Sequence, residues 1–222
     1  MASYKVVEKF VSINGEGKRA GQLAVFIRFA GCNLECEYCD TSWANKSDVY
    51  YEEMTEFEIY DYIKATGIRN VTLTGGEPLL REDIGKLLRI LSSDKNIRTE
   101  IETNGSVEIE EFRKISENIS FTIDYKLPGS GMERYMELTN YENLTVNDTV
   151  KFVVSDVEDL IKSKEIIDKF CLTEKCNVYL SPVFGKIEPE IMVRFMEENK
   201  MNDVNMQLQL HKIIWNPDKR GV

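Results

Sequence analysis

Short apolar runs alternate with amphipathic stretches along this chain, and that rhythm limits the fold more than any single residue does. Strand character falls at residues 6–13, 23–29, 71–73, 99–102, 120–124, 150–154, 178–180 and 204–210. Helical spacing of apolar residues covers 55–64, 81–91, 108–117, 132–138, 157–170 and 189–198. Gly67 reads as the stop of the first helix, and Pro189 suits the first turn of the last one. Strand-then-helix repetition predicts an α/β fold with a mainly parallel sheet. The unusual polar clusters each follow a strand: Cys32, Thr74–Glu77, Thr103-Asn104, Asp124–Lys126, Ser155, Ser181 and His211. In parallel barrels and open sheets such positions gather on one face. Complete eight-stranded barrels run to about 250 residues. A chain of 222 residues therefore predicts an incomplete TIM-type βα barrel, with residues 1–222 forming one domain.

Cys32, Cys36 and Cys39 stand in a C-x3-C-x2-C pattern directly after the run 23–29. Three thiolates this close can hold three irons of a four-iron cluster and leave the fourth without a protein ligand. An open iron can chelate a substrate or cofactor. Zinc sites more often use two well-separated pairs of Cys or His, and packing thiols need no fixed spacing.

Other positions carry a functional and a structural reading side by side. Gly75-Gly76-Glu77-Pro78 lets a ligand approach the backbone and offers a carboxylate to an ammonium, or is a strand-to-helix turn with an acidic start. Arg28 interrupts an apolar strand, as a carboxylate clamp or as half of a buried ion pair. Asn14-Gly15-Glu16-Gly17 is a turn whose carboxylate is free to meet a ligand. Tyr38 either stacks on a ligand or packs in the core. Thr41 offers a hard oxygen of the kind Mg2+ accepts. His211 is the only histidine and lies at the predicted end of the last strand. Cys171 and Cys176 read as buried thiols, and Trp43 and Trp215 as packing residues.

The chain has 38 acidic and 28 basic residues, a net charge of −10, which argues against a nucleic-acid partner. An odd number of cysteines, with three in one loop, points to a reducing, cytoplasmic compartment. No run approaches the ~20 apolar residues of a membrane span, and no signal-peptide core is apparent.

With these residues in place, the chain resembles the radical S-adenosylmethionine (radical SAM) superfamily: Cys32-x3-Cys36-x-Tyr38-Cys39 matches its cluster motif and Gly75-Gly76-Glu77-Pro78 its methionine-amine motif. Within it, the chain is similar to the 7-carboxy-7-deazaguanine synthase family. Residues 14–17, 24–28, 31–34, 39–41, 75–80, 102–105, 124–126, 181–182 and 211–222 carry that likeness. The resemblance implies a partial barrel and a four-iron four-sulfur (4Fe-4S) cluster on Cys32, Cys36 and Cys39. It also implies Mg2+ at Thr41. S-adenosylmethionine would lie on Tyr38, Gly75, Gly76, Glu77, Asp124, Tyr125, Lys126, Ser181, Pro182, Val183 and Phe184. A pterin would lie on Ile13, Asn14, Gly15, Glu16, Arg28, Thr74, His211 and the chain end at Val222. Many relatives carry glutamine at the place of Asn14. Some carry a longer loop between the first two cysteines. The implied reaction is lyase chemistry on the route to queuosine and related 7-deazapurines. Reductive cleavage of S-adenosylmethionine gives a radical that takes hydrogen from C6 of 6-carboxy-5,6,7,8-tetrahydropterin. Ring contraction with loss of ammonia then yields 7-carboxy-7-deazaguanine. The implied partners are a one-electron donor such as flavodoxin or ferredoxin and a second copy of the chain in a homodimer. Two further readings stay open at this stage: a glycyl-radical activating enzyme with a protein substrate, and a non-enzymatic zinc or iron–sulfur module.

Overall fold

The structure, a computed structural model, describes residues 2–222. Among them nine strands form one sheet: β1 (Ser3–Ile13), β2 (Leu23–Phe29), β3 (Glu52–Thr55), β4 (Asn70–Gly75), β5 (Arg98–Thr103), β6 (Ile119–Tyr125), β7 (Thr149–Val154), β8 (Asn177–Pro182) and β9 (Val204–Met206). Their spatial order is β3-β1-β2-β4-β5-β6-β7-β8-β9. β1 is antiparallel to both β2 and β3, and every pairing from β2 to β9 is parallel. The outermost strands, β3 and β9, do not meet, so the predicted incomplete barrel is what the chain forms.

Among the described residues six α-helices lie between strands, α1 (Glu56–Thr66), α2 (Ile84–Ser93), α3 (Glu110–Arg113), α4 (Val157–Phe170), α5 (Leu172–Lys175) and α6 (Pro189–Glu198), and α7 (Leu210–Ile214) follows β9. Local chemistry sets their ends. Thr55 and Glu58 form a reciprocal capping box at the start of α1, and Gly67 closes it in the left-handed conformation. Asp156 caps α4 by accepting from Asp159 N, and Pro189 opens α6.

Side chains alternate along each parallel strand. The outward set, including Val71, Leu73, Ile101, Phe121, Ile123, Val150, Phe152, Val178 and Leu180, is fully buried. The inward set is mostly polar: Thr72, Thr74, Glu100, Glu102, Thr122, Asp124, Lys151 and Ser181, with Phe26 and Val153 as apolar members. Barrels of this type usually fill their interior with branched apolar residues. Here that space holds charges and a cavity.

Four expectations are corrected. Residues 132–138 form no α-helix: one 3-10 turn covers Glu133–Tyr135 and a second Leu138–Tyr141, and the backbone between them bonds outward, Glu137 N donating to Gly105 O at 2.9 Å. The helix expected at 108–117 shrinks to α3, with Ile109 N donating to the Asn140 side chain at 3.0 Å. The last strand stops at Met206, so His211 lies in α7 rather than at a strand end. Cys171 is exposed and takes the left-handed conformation that ends α4; it is not a buried thiol, whereas Cys176 is partly buried. The edge strand β3 is a further finding, too short and too acidic (Glu-Glu-Met-Thr) to stand out in sequence.

Candidate active site

A cavity of about 900 Å3 opens where the parallel strands end, at the large end of the range for ligand sites. Cys32, Cys36 and Cys39 border one side of it. Arg28, Thr74, Glu102, Asp124 and Lys151 reach it from five strands, Ile13 from the end of β1, Gly15 and Glu16 from the β1–β2 connection, and His211 and Val222 from the C-terminal segment. Residues far apart in the chain thus share one wall.

The cysteine loop is held on three sides. Gly76 N donates to Phe29 O at 3.1 Å and Glu77 N to Gly31 O at 3.0 Å. A Cβ at Gly76 would overlap the Gly31 carbonyl and the Cys32 amide, so only glycine permits this approach. Glu37 N donates to Ser130 O at 3.1 Å, and the Tyr38 hydroxyl donates to Val153 O at 3.0 Å. Arg81 Nη1 donates to Ala30 O at 2.6 Å, behind the loop. Burial pushes the Cys36 thiol up to about 11; Lys126 opposes this, and Asp124, Cys39 and Cys32 add to it.

Beneath the loop lies a charge ladder. Lys126 Nζ donates to Asp124 Oδ2 at 2.8 Å, Lys151 Nζ lies 3.9 Å from the same oxygen, and Lys151 donates to Glu16 Oε2 at 3.2 Å. Ser181 Oγ and Gln207 Nε2 donate to Glu16 Oε1 at 2.6 and 3.2 Å. Burial alone would raise the Glu16 carboxyl, but Lys151, Ser181 and His211 together hold it below the ordinary range. Burial likewise opposes charge on Lys151, yet Glu16, Asp124 and Glu102 raise it well above a free lysine. Burial lowers His211 despite the pull of Glu16 and Asp40. Its imidazole packs so closely on Gly15 that a Cβ there would lie 2.8 Å from Nδ1.

The wall suits anionic ligands although the chain as a whole is acidic. Arg28, Lys126, Lys151, Lys186, Lys212, Lys219 and Arg220 face Glu8, Glu16, Asp40, Glu102, Asp124 and Asp218. Arg28 Nε donates to Glu8 Oε2 at 2.9 Å, the ion pair that was one of its two readings. Among the described residues Nη1 and Nη2 make no hydrogen bond, which leaves the forked end for a carboxylate. Arg220 covers the Trp43 ring at 4.0 Å, so Trp43 is a wall residue and not simple packing.

The donors present fit an iron–sulfur cluster with a chelated cofactor. Three thiols border one cavity, and beside them Asp124 Oδ1 is buried without a hydrogen-bond partner, an acceptor that a ligand donor would satisfy. Among the described residues no three His, Cys, Asp or Glu side chains converge on a point that a single ion could fill. A cubane spreads its ligands over separate irons, so bordering a common space is the relevant condition. Thr41 Oγ1 stands 3.7 Å from Cys39 Sγ, next to Asp40, on the same wall.

Several expected site residues lie elsewhere. Glu77 is fully buried and does not reach the cavity: its carboxylate accepts from Leu79 N, Thr103 Oγ1 and Asn104 N at 3.0, 2.9 and 2.6 Å. Asn14 is buried behind the wall, its Oδ1 accepting from Thr72 at 3.1 Å and its Nδ2 unpartnered. Tyr125 belongs to the outer face, where its ring packs on Tyr141 and Phe152. Ser181 and Pro182 are buried, while Val183 and Phe184 line the cavity. Lys151 and Glu102 are wall residues that the sequence reading passed over. Lys151 had a usable signal: it interrupts the apolar strand Val-Lys-Phe-Val-Val as Arg28 interrupts its own.

The profile of the radical SAM superfamily matches residues 26–129, which span β2, the cysteine loop and the strands up to β6. A 7-carboxy-7-deazaguanine synthase from Clostridium acetobutylicum is 61% identical over 220 residues, 99% of this chain and 100% of that relative. The chain belongs to the 7-carboxy-7-deazaguanine synthase family. A second member of that family, from Chlorobaculum tepidum, is 36% identical over 100% of this chain and 98% of its own length. The crystal structure of QueE from Escherichia coli superposes with a TM-score of 0.73 at 22% identity, covering 93% of this chain and 94% of that one, which supports the partial-barrel fold.

Proposed function

We propose that this chain is a radical SAM lyase that converts 6-carboxy-5,6,7,8-tetrahydropterin to 7-carboxy-7-deazaguanine with loss of ammonia. The observation that carries the reading is the sharing of one cavity by Cys32, Cys36 and Cys39 with Arg28, Glu16 and His211, in a chain 61% identical over nearly its whole length to a synthase of that name. The three cysteines would hold the 4Fe-4S cluster. When bound, the cluster and S-adenosylmethionine supply one-electron chemistry that removes a hydrogen atom from substrate carbon, with the electron drawn from an external carrier such as flavodoxin or ferredoxin.

The chain's own groups bind and orient. Gly75, Gly76, Tyr38, Asp124, Lys126, Val183 and Phe184 would face S-adenosylmethionine, with the free Asp124 Oδ1 as acceptor. Arg28 would turn its Nη atoms to the pterin carboxylate, and Thr41 would offer its hydroxyl oxygen to Mg2+ beside it. Lys151 keeps Glu16 anionic, so that carboxylate accepts from ring N–H donors. Ile13, Gly15, Thr74, His211 and the terminal Val222 complete the pterin side. Glu77 and Asn14 support this wall from behind. We further place the chain in the cytoplasm, as one domain that works as a homodimer. No helix among the described residues is long and apolar enough to cross a membrane.

An anaerobic assay tests the reading. The protein is reconstituted with iron and sulfide, then supplied with reductant, Mg2+, S-adenosylmethionine and the carboxypterin. Formation of 7-carboxy-7-deazaguanine, detected by mass, is expected, and Cys36→Ala should lose both cluster and product. Deoxyadenosine without deazaguanine would move the substrate elsewhere. A folded protein that takes up no cluster would overturn the reading.

A further inference from the structure

We propose that Asn104 tunes the electron affinity of the iron–sulfur cluster through an N–H···S hydrogen bond to Cys32. This rests on reading the three cysteines as cluster ligands. Asn104 Nδ2 lies 3.4 Å from Cys32 Sγ and 3.0 Å from Asn33 Oδ1. The orientation of the amide follows from its other end. Ser106 N and Ser106 Oγ both lie against Oδ1, at 3.0 and 2.6 Å. The Ser106 backbone N–H can only donate, so an acceptor oxygen must stand there and the NH2 group faces the sulfur.

The backbone beneath is fixed as well. Asn104 N donates to Glu77 Oε2 at 2.6 Å, and that fully buried carboxylate is anchored by Leu79 N and Thr103 Oγ1. This gives Glu77 a task in place of the ligand contact expected from the glycine motif. It ties the turn after β4 to the turn after β5, and so sets Asn104 against a cysteine 72 positions away. Asn104 is buried, which keeps water from replacing its amide.

The three cysteines are unequal in this respect. Cys32 Sγ also accepts from Leu34 N at 3.4 Å. Among the described residues neither Cys36 nor Cys39 receives an N–H donor. Reduction adds one electron from the external donor and breaks no bond, while negative charge on the cluster and its thiolates increases. An N–H donor favours the more negative level, so this contact raises the reduction potential. Asn104 acts through Cys32 and is a positioning and tuning residue.

The test is a redox titration of the anaerobically reconstituted holoenzyme, with dithionite as reductant and the electron paramagnetic resonance signal of the reduced cluster as readout. The unsubstituted protein is measured first. Absence of bound iron and sulfide there would end the cluster reading itself, separately from the tuning proposal. Asn104→Leu keeps the side-chain shape and removes the donor. The reduced-to-oxidised ratio at a fixed potential should fall roughly tenfold, a shift of about 59 mV to more negative values for a one-electron couple. Asn104→Ala removes the same donor, keeps the backbone N–H that binds Glu77, and should shift the potential the same way by less, because water can enter the vacated space. An Asn104→Leu protein with full cluster content and an unchanged potential would overturn the proposal. Where Asn104→Leu takes up no cluster, Asn104→Ala decides: a negative shift supports tuning, an unchanged potential refutes it, and loss of the cluster in both variants would show that Asn104 holds the loop instead of tuning it.

Discussion

Lys151 and Phe152 are consecutive on β7 and face opposite environments. Phe152 is fully buried on the outer face, its ring centroid 5.5 Å from that of Tyr125. Lys151 points inward, between Glu16 and Asp124. One alternation therefore builds two surfaces on each parallel strand. The outer surface gains stability from apolar area, and the guanidinium that packs on it, Arg113 over the Phe121 ring at 5.1 Å, is paired with Asp148 at 2.9 Å. The inner one gains binding chemistry from charges, which persist there because they neutralise one another.

Substitutions at the two neighbours test that division directly. Lys151→Met should cost about 3–5 kcal/mol, since it leaves Glu16 and Asp124 buried without their shared cation. Denaturant unfolding of the cluster-free protein measures this, and adding Glu16→Gln should restore part of the loss. Stability recovered with no pterin binding would sharpen the contrast; a single substitution without cost would break it. Phe152→Ala should cost a similar amount, about 3–5 kcal/mol, through lost apolar transfer and the cavity left behind. Here the signature differs: turnover per cluster-loaded, folded molecule should stay close to that of the unsubstituted chain. A comparable fall in turnover would mean that the outer face also shapes the site.

Arg28→Ala is expected to leave cluster content and S-adenosylmethionine cleavage intact while weakening pterin binding roughly ten- to hundredfold, the range for charge-assisted contacts of about 1.5–3 kcal/mol. Normal pterin affinity in that variant would show that Arg28 serves only as the partner of Glu8. The smallest effect is on acid stability. The Glu16 carboxyl titrates lower in the folded chain than in the unfolded one. Its stabilising contribution is thus complete above the ordinary glutamate pKa of about 4.3 and disappears as pH falls through the lower folded value. Urea midpoints measured across that window should fall less steeply with acid in Glu16→Gln than in the parent.

Much of the framework could be read from spacing. β2, α4 and α6 begin and end where their patterns do: β2 is a continuous run broken only by Arg28, α4 has the Asp156 cap at its start, and α6 opens on Pro189. The region 132–141 could not be read this way. Its groups bond to Gly105 and Ile109, and nothing local announces those partners. The site divides along the same line. Cys32, Cys36, Cys39 and Arg28 were visible as exceptions to their surroundings. Lys151 was equally exceptional, but its partner Glu16 lies 135 positions away.

By itself the sequence determined the repeated strand–helix order, the three-thiol loop, and the glycines that bring it close to the turn after β4. These depend on neighbours a few residues apart, where backbone sterics and periodicity act. Tertiary structure alone decided that Glu77 is buried and braces Asn104, that Asn14 sits behind the wall, and that His211 packs on Gly15. Those outcomes depend on which strands pair and on how far the sheet curls before its edges stop short of each other. Only that curvature brings the β1–β2 connection, β7 and the C-terminal segment around one cavity, where burial and charge then set what each group can do.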